Sequence, residues 1–125
     1  MLLAKSCNSF MILTGSETLP LRMQRHSDNA KKVALHLSGH SKVNWVSYAA
    51  LPEDKHHALQ QKYMPKGAGA VFTFGVEGGY DAGVALVSKC ELFSHLANIG
   101  DTRSLIIHPD GSRRRTRRGA HFGWS

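Results

Sequence analysis

The chain has 125 residues, 42% of them hydrophobic, and 16 Lys and Arg against 9 Asp and Glu give a formal charge of +7. That length supports one domain able to bury roughly two-thirds of its unfolded surface, and no apolar run approaches the ~20 residues a membrane span needs. Cys7 and Cys90 offer neither a disulfide framework nor a metal-ligand pair, so they read as reduced thiols of a cytoplasmic protein.

The opening MLLAKSCNSFMIL has one Lys and a broken apolar run without a small-residue cleavage pattern, which argues against a secretory signal. Phe10, Met11, Ile12 and Leu13 followed by Gly15 predict a short buried helix over 7–15 with a glycine stop. Ser16 is placed to cap the next element. From Glu17 to Ser38, Leu19, Met23, Ala30, Val33, Ala34 and Leu37 fall near i, i+3 and i+4 spacing, which predicts a long amphipathic helix. Pro20 is tolerated in its first turn and Gly39 ends it.

Val43, Trp45, Val46 and Tyr48 predict a short strand stopped by Leu51, Pro52 and Glu53. A second short helix is expected from about Lys55 to Tyr63, closing at Pro65. Residues 70–76 are apolar on both faces and read as a central strand covered on two sides. Gly78 and Gly79 then turn the chain into a helix over about 80–96, and Leu105, Ile106 and Ile107 read as a buried strand within 103–107. The two strands are expected as neighbours in one sheet, with the helices packed on it. The element order predicts an α/β layered domain.

Between that last helix and strand lies FSHLANIGDTRSLIIHP, residues 93–109, where Asn98, Gly100 and Asp101 break the apolar pattern. A loop pinned between packed elements can present Asn98 to a ligand with little loss of order. An ordinary αβ connection capped by Asn98 and Gly100 is the other reading.

Other constellations carry less. His36 and His40 have the i, i+4 spacing of a metal pair, but no carboxylate or Cys stands at a useful offset, so no metal is expected. His56 and His57 are adjacent and read as a solvated helix start. The glycines of KGAGAVFTFG precede a strand, whereas phosphate-binding glycines open a helix. The run RRRTRR at 113–118 is a nucleic-acid signal in composition, yet residues 1–109 alone carry eleven Lys or Arg against eight acids. The basic character belongs to residues 110–125, read as a disordered Arg-rich tail, with a small basic nucleic-acid-binding protein as the alternative function.

Three stretches, NSFMILTGSETLPLRMQRHSDNA at 8–30, KYMPKGAGAVFTFGVEGGYDAG at 62–83 and LFSHLANIGDTRSLIIHP at 92–109, together resemble the pyridoxal-phosphate-dependent enzymes of cysteine and methionine metabolism. On its sulfhydrylase branch this family makes homocysteine from O-acetylhomoserine and sulfide. The resemblance implies that residues 1–109 are a fragment of the C-terminal small domain of a fold-type-I enzyme, inactive alone. The full-length form is then a cytoplasmic homo-oligomer, a tetramer, acting on a small-molecule amino-acid substrate. It also implies that the cofactor's Schiff-base Lys and pyridinium-pairing Asp lie upstream of this sequence, so no catalytic or cofactor-binding residue is assigned here. Asn98 falls where relatives with a Ser-Leu-Gly-Gly or Ser-Leu-Gly-Asp loop touch the substrate carboxylate, and its amide could donate the same bond. After Pro109 the family continues with a small residue and Ser-Thr-Thr-His. Written TCG ACG ACG CAC, as in a GC-rich gene, that tetrapeptide read one base later gives Arg-Arg-Arg-Thr, as at 113–116, so a frameshifted tail is expected.

Overall fold

In the computed structural model residues 2–109 are described, with side chains from Ser6 onward. The Arg-rich segment expected to be disordered lies outside them. The elements run α1 (Leu2–Glu17), α2 (Leu19–Ser38), β1 (Val43–Ser47), α3 (His57–Tyr63), β2 (Thr73–Val76) and α4 (Gly79–Lys89). The chain divides at Phe74 and Gly75 into two compact units.

In the first unit α2 packs on β1 and α1 packs against α2. The stripe of α2 that faces inward buries Ala30 and Ala34, small enough to let β1 approach closely, and Tyr48 and Leu51 close the cluster from the other side. Val46, Ala50, Ala68 and Phe72 pack around it, with the Tyr48 and Phe72 rings 5.7 Å apart. The Tyr48 hydroxyl donates to the Gly69 carbonyl at 2.7 Å, which ties the 66–70 segment down where no strand holds it. α3 begins where Asp54 accepts the backbone N–H of His56 at 2.8 Å. The same carboxylate takes the Ser47 hydroxyl at 3.2 Å and so joins the end of β1 to that turn.

Three expectations for this unit are corrected. The first helix is neither short nor buried: α1 continues through Gly15 to Glu17, and Phe10, Met11, Ile12 and Leu13 are 65–70% exposed. Four successive apolar residues point around the whole helix, and α2 can cover only one side. Ser16 is not a cap; its hydroxyl bonds back to the Ile12 carbonyl at 2.8 Å, which lets the helix run on to Thr18, the N-cap of α2. Residues 70–76 are not a central strand. β2 starts only at Thr73, pairs with β1 in a two-stranded sheet, and leaves Val71 66% exposed.

In the second unit Gly78 and Gly79 turn the chain at φ +93° and +65°, backbone that side chains rarely adopt, and α4 starts there. α4 stops at Lys89 rather than near residue 96, because Cys90 is extended; Phe93, Leu96 and Ala97 share helical spacing without lying on a helix. The strand expected at 103–107 reduces to one parallel bridge between Ser94 and Leu105, and it does not pair with β2. Three apolar residues in a row report burial, not a partner, and the partner here is the bend at Ser94. The mixed helix and strand order read from the sequence stands, with one strand fewer than expected among the described residues.

Candidate functional site

The loop that carries Asn98 is pinned at its base. Ser94 donates its N–H to the Ser104 carbonyl at 2.9 Å and accepts the Ile106 N–H at 3.1 Å, so residues 95–103 form a closed excursion. Gly100 sits at φ +79° inside it, the conformation that needs a glycine. Asn98 is exposed. Its Oδ1 accepts the Ile99 N–H at 2.8 Å, which fixes which end of the amide is the donor end, and Nδ2 makes a long contact with Asp101 Oδ2 at 3.4 Å.

Asp101 is the hub of the loop, and sequence reasoning treated it only as a pattern breaker. Its Oδ1 accepts the backbone N–H of Arg103 at 2.9 Å and Arg103 Nε at 3.2 Å, while Oδ2 accepts Arg103 Nη2 at 3.1 Å. The side chain of Asp101 is only 13% exposed against 60% for Arg103. The Arg103 guanidinium, helped by the Arg103 backbone N–H, holds the Asp101 carboxyl well below the usual carboxylate range, and Asp101 in turn pushes Arg103 up. The Asp-x-Arg spacing was the available signal, since an Asp commonly accepts the N–H two residues on.

The other concave region belongs to the first unit. A cavity of about 550 Å³ opens between α2 and α3, with Ser27, Asp28, Lys31, Tyr48, Gln60 and Lys66 among its walls. Burial, and then the Asp28 charge, raise the Tyr48 hydroxyl above its ordinary value. The His36 and His40 rings stand edge to face at 6.2 Å, and among the described residues no three of His, Cys, Asp and Glu gather as a metal site.

The chain superposes on the crystal structure of an O-acetylhomoserine (thiol)-lyase from Campylobacter jejuni, which holds pyridoxyl-lysine monophosphate, with a TM-score of 0.78 and 37% identity over 84% of this chain and 25% of that one. It is also similar to cystathionine gamma synthase from Xanthomonas oryzae in complex with aminoacrylate and cysteine, with a TM-score of 0.68 and 38% identity over 74% of this chain and 24% of that one. The chain belongs to the Cys/Met metabolism PLP-dependent enzyme family, which it matches over residues 3–117. Among its relatives, O-acetyl-L-homoserine sulfhydrylase of Leptospira meyeri is 50% identical over 103 residues, 82% of this chain and 23% of that protein. The homocysteine synthase of Schizosaccharomyces pombe is 48% identical over 100 residues, 80% of this chain and 23% of that one. The chain therefore spans about a quarter of the length of these relatives.

Pyridoxal phosphate needs an enclosed amine to hold its aldehyde and a carboxylate free to face its ring nitrogen. The described residues do not offer that pair. Every Lys from Lys31 to Lys89 is exposed, and the half-buried carboxylates of Asp54 and Asp101 are spent on His56 and Arg103.

Proposed function

We propose that this chain is a piece of a pyridoxal-phosphate-dependent sulfhydrylase that forms homocysteine from O-acetylhomoserine and sulfide, and that its contribution is to hold the substrate rather than to transform it. The observation that carries this reading is the 50% identity to an O-acetyl-L-homoserine sulfhydrylase across 82% of the chain, the Asn98 loop being among the stretches that carry the resemblance. Asn98 donates an Nδ2 hydrogen to the α-carboxylate of the amino-acid substrate. Its Oδ1 is already committed to the Ile99 N–H, while Nδ2 makes only the long contact with Asp101 and keeps a hydrogen to donate. The full-length form works in the cytoplasm as a homo-oligomer, a tetramer. No described helix is long and apolar enough to cross a membrane.

By itself the chain is expected to turn nothing over, since the described residues provide no cofactor anchor. The purified chain with pyridoxal phosphate, O-acetyl-L-homoserine and sulfide should yield no homocysteine and no stable aldimine absorbance. Appearance of both would mean that one of its lysines is the catalytic one. The nucleic-acid reading rested on the 113–118 run, which is outside the described residues, and the comparisons lend it no support.

A further inference from the structure

The loop holds a second group suited to a carboxylate. A guanidinium presents two forks of parallel N–H bonds, one through Nε and one Nη, the other through both Nη atoms. Asp101 occupies the side fork of Arg103 through Nε and Nη2. The end fork, Nη1 with the remaining hydrogen of Nη2, has no partner among the described residues, and the side chain is 60% exposed. Asn98 Nδ2 and Arg103 Nη2 both point to one oxygen, Asp101 Oδ2, at 3.4 and 3.1 Å, so they stand no more than about 6.5 Å apart. Two donors at that separation can each reach a different oxygen of one carboxylate.

From this geometry we infer that Arg103 is a second carboxylate-binding residue, working beside Asn98 on the same α-carboxylate, with Asp101 as the residue that aims it. The inference rests on the reading of Asn98 as a carboxylate contact. Asp101 has two effects. It fixes the guanidinium plane through two side-chain bonds, to Nε and Nη2, with a third bond to the Arg103 backbone N–H, so little side-chain freedom remains to be lost on binding. It also neutralises Arg103 in the free protein, so the subsite attracts a carboxylate by directed donors rather than by net charge. Such a site selects a planar two-oxygen anion over a neutral amide. That is the discrimination a substrate with a free carboxylate and an esterified hydroxyl calls for.

The test uses the whole 125-residue chain, ¹⁵N-labelled, titrated with O-acetyl-L-homoserine and separately with its α-carboxamide. The resonances read are Arg103 Nε–H, the Asn98 side-chain amide and the Ile99 backbone N–H. Wild type should show saturable shifts at the first two with the carboxylate form and about tenfold weaker ones with the amide. Arg103→Lys can still pair with Asp101 but has no second fork, and should weaken binding by about tenfold while the Ile99 signal stays in place. Asn98→Ala should weaken it independently. Full binding in Arg103→Lys with loss in Asn98→Ala would overturn the role of Arg103 and leave that of Asn98. The reverse pattern would remove Asn98 and keep Arg103. Equal response to carboxylate and amide in wild type, or no saturable response to either, would overturn both.

Discussion

Gly83→Ala should destabilise the second unit although it places a better helix former inside α4. Gly83 has no left-handed backbone to protect, and in open space the change should stabilise by about 0.5–1 kcal/mol. A methyl there meets the His108 ring, however, with its Cδ2 at 2.7 Å and Nε2 at 3.0 Å. The ring cannot simply step aside. It stands edge to face against Tyr80 at 4.8 Å and 85°, and its Nδ1 is buried, with no hydrogen-bond partner among the described residues. Moving it forfeits the aromatic contact, about 0.5–1.5 kcal/mol, and overpacking elsewhere costs about 1–3 kcal/mol. The net expectation is a loss of about 1–2 kcal/mol. In a His108→Ala background the clash is gone, and the same substitution should stabilise by about 0.5 kcal/mol or more. The sign reversal is what urea unfolding, followed by far-UV circular dichroism, would measure in the four proteins of the cycle. Amide exchange at Val84 to Val87 would localise it, each 1.4 kcal/mol being about tenfold in protection. A Gly83→Ala variant equally stabilised in both backgrounds would refute the account, because the coupling between the two positions would then be absent.

Three further outcomes follow from single contacts. Tyr48→Phe leaves the Gly69 carbonyl without its 2.7 Å donor beside the buried cluster, and thermal unfolding should show a loss of about 1–2 kcal/mol. Gly100→Ala meets no atom within 4 Å, so its cost should be conformational only, about 1 kcal/mol from φ +79°, confined to exchange at residues 96–104, and smaller for Gly100→Asn. Asp101 is held below the usual carboxylate range by Arg103, so its ion pair is fully present above the unfolded value near ~3.9 and is lost only as pH falls toward the lowered folded value. The Arg103 Nε–H signal should therefore persist on acidification from pH 7 to about 3, where an ordinary Asp is already mostly protonated; its disappearance near pH 4 would show that the fork does not form.

The sequence made α2 legible because one stripe, from Met23 through Ala30 to Ala34 and Leu37, repeats at the helical period over about four turns, and the structure buries its centre. Gly78 and Gly79 were legible for a similar reason, since two adjacent glycines between a strand pattern and a helix pattern leave little else to do than turn. What failed were inferences from apolar runs alone. Phe10 to Leu13, Val71 and Leu105 to Ile107 all signal a wish to be covered, but a run does not say by what. Within the described residues the first stretch and Val71 stay open, and the last finds only Ser94. The cost was a missing strand and a helix mistaken for a buried one. Asn98 was singled out by the break in the apolar pattern, and its expected role came from the resemblance. The fork that surrounds it is a local polar geometry that an apolar pattern cannot reveal.

The two units are also held together by different means, and this bears on how the loop could work. The first has a cluster of buried residues, whereas among the described residues of the second Val87 is the one buried apolar side chain. A loop in so thin a setting cannot rely on packing to fix Asn98. Its order must come from directed bonds: the Ser94 clamp at the base, Gly100 at the turn, and the Asp101 fork across the middle. Each lies within reach of water and is individually weak, since ion pairs near water contribute little net stability. Together they restrict direction more than they add stability. On the proposed reading of Asn98 as a carboxylate contact, that property implies that substitutions at Asp101 should alter ligand affinity far more than the unfolding midpoint of the chain. A Asp101→Asn variant whose midpoint fell while its affinity for O-acetyl-L-homoserine held would place Asp101 in the scaffold instead.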